Sequence, residues 1–248
     1  MPKIFYIIKI CLITIFLFCN CQKEKAGIAF TFDDNSIDEW YNQCALFKEY
    51  DIRATFFITR PYLLDSNQIN KLKILKSDGH EIGCHGYYHK NATDYQTPED
   101  YINQEIKPAL QKLQELGFTV TSFAYPFGAS TSELDSALLN YFKIIRKATY
   151  NYLNTTIDQY PEIYANSNNY RTVNAMGIDC NYVISPENFE TGMQRALKNN
   201  EILIVYAHSI DTSNSDYSIH PEYLEELFLI CKKRGIKSVT MNELFHFF

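Results

Sequence analysis

Two adjacent carboxylates, Asp33-Asp34, and two imidazoles, His85 and His89, carry the chemistry of a catalytic divalent cation site. Two nitrogens and one oxygen leave coordination positions open for water and substrate, whereas structural sites close all four. Neighbours in an extended strand point in different directions, so the two aspartates can divide the work, one ligating and the other facing the water. His208 adds a further imidazole at a strand end, and Tyr125-Pro-Phe-Gly128 is a proline- and glycine-fixed turn. Singly, each has an ordinary explanation: paired aspartates start turns and helices, and a histidine ending an apolar strand is commonly a hydrogen-bonded core residue. Their shared position is the stronger signal. Each follows a strand-like run (Ile28 to Phe32, Glu81 to Cys84, Thr121 to Ala124, Ile202 to Ala207), and carboxyl ends of strands are where barrel enzymes assemble their sites.

The elements that must position these residues alternate along the chain. Runs rich in β-branched and aromatic residues predict strands at 27–32, 53–58, 81–84, 120–124, 142–147, 170–174, 201–207 and 236–239. Most are continuously apolar, as in parallel strands covered on both faces. Thr97-Pro-Glu-Asp100, Ser185-Pro-Glu187 and His220-Pro-Glu222 read as helix starts, and Gly117 and Gly235 as helix ends. The expected fold is an α/β distorted (β/α) barrel of seven or eight β/α units over residues 27–248. An open doubly wound sheet is the alternative, although no Gly-rich nucleotide loop follows the first strand.

The 248 residues, 46% of them apolar, suffice for one sizeable core. Residues 1–21 form a basic start and an apolar run interrupted by Lys9, which reads as an export signal. Cys21 is the candidate lipidated residue, with 22–26 as a short tether, so the expected location is the bacterial cell envelope, anchored by lipid alone, or else periplasmic or secreted. Net charge is −6, and −8 (21 minus 29) once Lys3 and Lys9 leave with the leader, which argues against nucleic acid as a partner. Cys44, Cys84, Cys180 and Cys231 remain in the folded part; their scatter fits free thiols, and no CxxC pair marks a zinc ribbon or redox site.

Thr31-Phe-Asp-Asp34, His85-Gly-Tyr-Tyr-His89, Ala124-Tyr-Pro-Phe-Gly128 and Val205-Tyr-Ala-His208 resemble, in order and spacing, the motifs of the polysaccharide deacetylases, carbohydrate esterase family 4. The resemblance extends to Tyr223-Leu-Glu-Glu-Leu-Phe228 and Val239-Thr-Met-Asn-Glu-Leu244. It implies metal-dependent hydrolysis of N-acetyl groups on amino sugars of a glycan, with Zn²⁺, or Co²⁺ or Ni²⁺ in its place, on Asp34, His85 and His89. It further implies Asp33 as base, His208 as acid and the Phe127 backbone N–H as oxyanion donor. Two other readings stay open: a glycan-binding lipoprotein without turnover, and an O-acetyl esterase or cyclic amide hydrolase using the same activated water.

The chain departs from the family pattern at four places. Asn35 and Gly86 replace a common glycine and a common hydroxyl residue. Ala124 stands where many members have an arginine that orients the base, and the family's Asp-Trp pair is absent, Trp40 being the only tryptophan. Arg146 is the candidate replacement for the arginine, and Asp179 the candidate partner for His208. Tyr125, with Tyr87, Tyr88, Tyr95 and Tyr150, offers stacking faces for sugar rings, and Asn169-Tyr-Arg171 is a further candidate for the groove.

Overall fold

The structure, a computed structural model, describes residues 26–150 and 155–248. The export signal, Cys21 and nearly all of the tether lie outside the described residues. Seven strands form the barrel: β1 (Gly27–Asp34), β2 (Ala54–Ile58), β3 (Glu81–Cys84), β4 (Ser122–Ala124), β5 (Ile144–Thr149), β6 (Thr172–Gly177) and β7 (Ile202–Ala207). Neighbours pair in parallel in chain order, and β7 returns to β1 along six residue pairs, Gly27–Phe32 against Ile202–Ala207.

The eighth predicted strand is not a stave. Only Lys237–Ser238 is extended, paired with Gly27 and Ile28. β1 has two edges: β7 takes one, and β2 takes the other from Phe30 upward, leaving room only at the foot of that seam. Tyr164–Ala165 fills a similar gap, pairing antiparallel with Leu203 and Ile202 below the place where β7 meets β6. The β3–β4 seam has a single residue pair, Cys84 with Phe123, reinforced by a 2.6 Å hydrogen bond from the Ser122 hydroxyl to Glu81. These features make the barrel irregular.

Alternation along each strand sorts the side chains. Ile28, Phe30 and Phe32 of β1 pack outward against the helices, as do Leu203, Val205 and Ala207 of β7. Ala29, Phe57, Ala124, Ile144, Val173, Ala175, Ile204 and Tyr206 form the inward set. The foot of the interior is polar. Glu81 accepts from the hydroxyls of Thr55 and Ser122 and from the backbone N–H of Asn242 at the start of the closing helix Met241–Phe247. Burial pushes the Glu81 carboxyl up, with these hydrogen bonds opposing. Polar groups therefore sit at both ends of the interior, with an apolar layer between them.

The helices begin where capping chemistry places them. Thr97 and Ser185 accept from the backbone N–H groups of Asp100 and Asn188, and Gly235 ends Pro221–Arg234 in a left-handed conformation, φ 67°. The helix that starts at Pro98 does not run uniformly to Glu115. A π-helical stretch, Ile102–Ile106, separates Pro98–Tyr101 from Lys107–Glu115. Pro108 accounts for it: a proline in a continuing helix has no N–H to donate and its ring crowds the preceding turn, which a locally widened turn relieves. The four cysteines of the described residues are unpaired; Cys84 and Cys231 are buried and Cys180 is exposed. No helix among the described residues is long and apolar enough to cross a membrane.

Candidate active site

At the mouth of the barrel the inward positions become polar. Asp33 shares the inward face of β1 with Ala29 and Thr31, and Arg146 shares that of β5 with Ile144. The Arg146 Nη2 donates to both carboxylate oxygens of Asp33, in a pair that solvent scarcely reaches. The guanidinium lies between the rings of Phe57 and Tyr206, 5.4 and 4.9 Å from their centroids, a placement that favours a cation. β5 continues past Arg146 to Thr149, and the Arg146 side chain projects into the interior with 1% exposure. Ala124 is its register partner on β4. The small side chain at 124 leaves the space, and the arginine arrives from the next strand at the same height.

Asp34 turns the other way because its backbone is left-handed, φ 79°, a conformation aspartate tolerates. Its Oδ1 lies 3.1 Å from His89 Nε2 and 3.6 Å from His85 Nε2. One ligand atom from each of the three residues falls within 4.8 Å of the others. That oxygen is buried and has no hydrogen-bond partner, an arrangement that is costly unless something positive sits there. His85 Nδ1 is 2.8 Å from the carbonyl oxygen of Ala124, which can only accept. The ring proton is therefore on Nδ1, and Nε2 presents its lone pair to Asp34 and His89. Burial lowers the His85 pKa to about 4, against the pull of Asp33 and Asp34, so the ring is neutral as a ligand must be. Burial also works against ionisation of Asp34, but the contact with His89 and the neighbouring imidazoles of His85 and His208, protonated in the acid range where a carboxyl titrates, outweigh it and hold the carboxyl below its usual range. This donor set fits a divalent cation.

The third side of the mouth belongs to His208. Its Nδ1 is 2.6 Å from Asp179 Oδ2, and its backbone N–H donates to Asp179 Oδ1 at 2.9 Å. Its carbonyl accepts from Trp40 Nε1 at 2.7 Å, tying the end of β7 to the helix that follows the aspartates. Burial lowers the His208 pKa and Asp179 raises it, with a net rise; burial also pushes the Asp179 carboxyl up, against His208. These two shifts pull the pair in opposite senses. The raised imidazole is the direction the contacts support, since both carboxylate oxygens accept from His208.

Asp33, Asp34, His85, His89, Phe127, Arg146 and His208 line one cavity of about 460 Å³. Asp179 sits behind His208, 1% exposed. Phe127, with φ 61°, is strained, exposed and 5.0 Å from the His89 ring, and its carbonyl accepts from Tyr150. Tyr125 borders the cavity, but its ring is buried against Phe123 and Tyr101, so it forms wall and offers no stacking face. Of the other tyrosines read from the sequence, Tyr150 lines the cavity while Tyr87, Tyr88 and Tyr95 stand outside it.

Asn169-Tyr-Arg171, expected in the groove, does not line the cavity. Arg171 donates to the carbonyls of Lys143 and Leu139 before β6 begins, at the opposite end of the barrel, because residues entering a parallel strand lie at its foot. Sequence reading missed Tyr182, Tyr206 and Tyr217, which also line the cavity. Tyr206 was recoverable: two residues before His208 on an alternating strand, it must share that face. Tyr182 reaches Tyr206 by a 2.5 Å hydroxyl contact and packs its ring against Gly177, where any side chain would collide with it.

Residues 20–153, more than half of the chain, match the sequence profile described as polysaccharide deacetylase. The protein YheN of Bacillus subtilis (strain 168) is 30% identical over 149 residues, covering 58% of this chain and 50% of that protein. The peptidoglycan-N-acetylglucosamine deacetylase PgdA of Listeria monocytogenes is 27% identical over 113 residues, 45% of this chain and 24% of that protein. The chain thus spans half or less of the length of these relatives. Among solved structures, the chitin deacetylase of the fungal pathogen Colletotrichum lindemuthianum superposes with a TM-score of 0.59 at 19% identity, over 88% of this chain and 87% of that one. At that identity the likeness is one of fold.

Proposed function

Because the chain belongs to the polysaccharide deacetylase family, we propose that it is a metal-dependent hydrolase removing N-acetyl groups from amino-sugar units of a polysaccharide or a peptidoglycan-like glycan. The observation that carries the proposal is the gathering of two proton-handling groups, Asp33 and His208, in one cavity with a cation-ready cluster. Asp33 Oδ2 lies 4.0 Å from His85 Nε2, beside the cluster, and His208, directly after the end of β7, lines the same cavity.

Asp34, His85 and His89 would hold the metal, Zn²⁺ or alternatively Co²⁺ or Ni²⁺. A divalent cation bound there supplies a Lewis acid for the acetyl carbonyl and makes water acidic enough to be activated near neutral pH. Asp33, pinned by Arg146, takes the proton of the attacking water. The Phe127 backbone N–H is the proposed donor to the oxyanion. An amine leaves poorly unless protonated, so the His208 imidazolium, oriented by Asp179, donates its proton to the sugar nitrogen. Tyr150, Tyr182 and Tyr217 supply aromatic surface at the rim for the sugar ring. The same proposal has the chain exported and held at the cell envelope through lipid on Cys21, supported by the basic, apolar start of the sequence.

The test is acetate release from N-acetylglucosamine oligomers and O-acetylated xylan, and ring opening of a small cyclic amide, for the intact, chelated and metal-restored protein. Acetate from the amino-sugar oligomers, lost on chelation and regained with Zn²⁺, is expected. Preference for xylan or the cyclic amide would transfer the site to ester or ring-amide hydrolysis. Glycan binding without turnover on any substrate would make the chain a binding protein.

The Asp179–His208 pair sets a sign for pH. Protonated His208 is the working form and its pKa is raised, so kcat should fall as pH rises through that value. Removing the carboxylate in Asp179→Asn lowers that pKa, and the basic limb of the kcat profile should move to lower pH by at least about one pH unit. An unmoved limb would detach His208 from the proton transfer.

A further inference from the structure

Glu105 is fully buried, yet among the described residues it is paired with no cation and lies outside the cavity. Its Oε2 accepts from the backbone N–H groups of Tyr87 and Tyr88, each at 2.8 Å, and the Tyr95 hydroxyl donates to Oε1 at 3.2 Å. Tyr87 and Tyr88 are the middle of the five-residue loop whose ends are His85 and His89. Two successive N–H groups converging on one oxygen form an anion-binding concavity, and bonds to a carboxylate are roughly twice as strong as neutral ones.

The loop's geometry requires such a support. Its two imidazoles reach Asp34 only because the backbone bends sharply through left-handed residues at both ends, Gly86 with φ 85° and His89 with φ 61°. At His89 that conformation carries strain that surrounding contacts must hold. Gly86 matters a second way: a side chain there would meet Glu105 Oε2 at 2.9 Å. The departure from the family's hydroxyl residue at this position thus leaves the room that the Glu105 carboxylate uses. The π-helical turn places the acid, since Glu105 lies inside Ile102–Ile106, three residues before Pro108.

We propose that Glu105 is the positioning residue of the metal site: its carboxylate clamps the loop between His85 and His89 and sets the separation of the two imidazoles, whose ring centroids stand 5.0 Å apart. The proposal rests on the metal-binding reading of Asp34, His85 and His89. It assigns Glu105 no contact with substrate.

The test compares the apo forms of the intact protein, E105Q and Y95F. Zn²⁺ affinity is measured by competition with a chromophoric chelator, geometry by the visible absorption of the Co²⁺ form, and folding by far-UV circular dichroism and thermal melting. E105Q keeps the shape of the side chain and loses its charge. It is expected to fold and to bind Zn²⁺ about tenfold more weakly, at the lower end of the roughly 10–100-fold effect of groups that orient metal ligands, with an altered Co²⁺ spectrum. Y95F removes only the weakest of the three donors and should weaken binding by about twofold. A merely structural glutamate would lower the melting temperature and leave metal affinity and spectrum unchanged; that result in folded E105Q overturns the proposal. Should E105Q fail to fold, Y95F decides: weakened binding with an altered spectrum supports the clamp, and unchanged binding and spectrum overturn it. Absence of metal binding by the unaltered protein would instead overturn the metal reading itself, so the two failures are distinguishable.

Discussion

Asp33→Asn is expected to lower kcat for acetate release by about 10³-fold, within the roughly 10²–10⁴-fold that a positioned general base contributes. The amide has the carboxylate's shape and can still accept from Arg146, but it cannot take a proton from water. Because Asp34, His85 and His89 are untouched, metal binding by the folded variant should persist, and KM should move little. Steady-state acetate release, together with chelator competition on the same preparation, checks both halves. Loss of metal binding along with activity would make Asp33 a ligand. Unchanged activity would remove it from the reaction and leave the proposed mechanism without a base.

Arg146→Met should act on both activity and stability. It leaves the Asp33 carboxylate buried without its partner, and breaking a buried pair from one side destabilises by about 3–5 kcal/mol. A base displaced by about 1 Å costs on the order of a hundredfold in rate, which is the expected fall in kcat. Register offers a sharper version. Ala124 and Arg146 face inward side by side, so Ala124→Arg combined with Arg146→Ala returns a guanidinium to the same space from the neighbouring strand. Ala124→Arg alone overfills that space and should destabilise by about 1–3 kcal/mol. The double variant is expected to recover part of the activity lost in Arg146→Ala. Urea unfolding and acetate release measured on all three variants test this; no recovery in a folded double variant would show that the strand of origin matters beyond the charge.

That pairing also shows where reading along the chain stops. Asp33 and Arg146 are 113 residues apart, and the sequence offers Arg146 only as a candidate, through the arginine missing at 124, with no local signal that joins the two. From sequence, an arginine after an apolar run resembles a solvated strand end. Only the length of β5 and its register against β4 turn it inward. Asp179 and His208 pose the same problem over 29 residues, and Glu105 a harder one, because its inward direction comes from a π-helical turn that helical periodicity does not anticipate. Of the tyrosines named from sequence, Tyr87, Tyr88 and Tyr95 stand outside the cavity, and Tyr125 lines it as buried wall. With 19 tyrosines in the chain, type alone does not distinguish those facing the cavity from those packing elsewhere.

By itself the sequence determined the α/β class, the positions of the seven staves to within a few residues, the helix starts at Pro98, Pro186 and Pro221, and the placing of carboxylates and imidazoles at strand ends. These properties live in short windows: continuous apolar runs rich in β-branched and aromatic residues, prolines and acids at helix starts, and polar residues where an apolar run stops. The tertiary structure alone decided that the barrel closes at seven strands, that a guanidinium from β5 meets Asp33, and that a buried glutamate underlies the histidine loop. Closure and register are pairings between distant segments, settled by which edges are already occupied and which inward side chains fit at one height, and no window of the chain contains both partners.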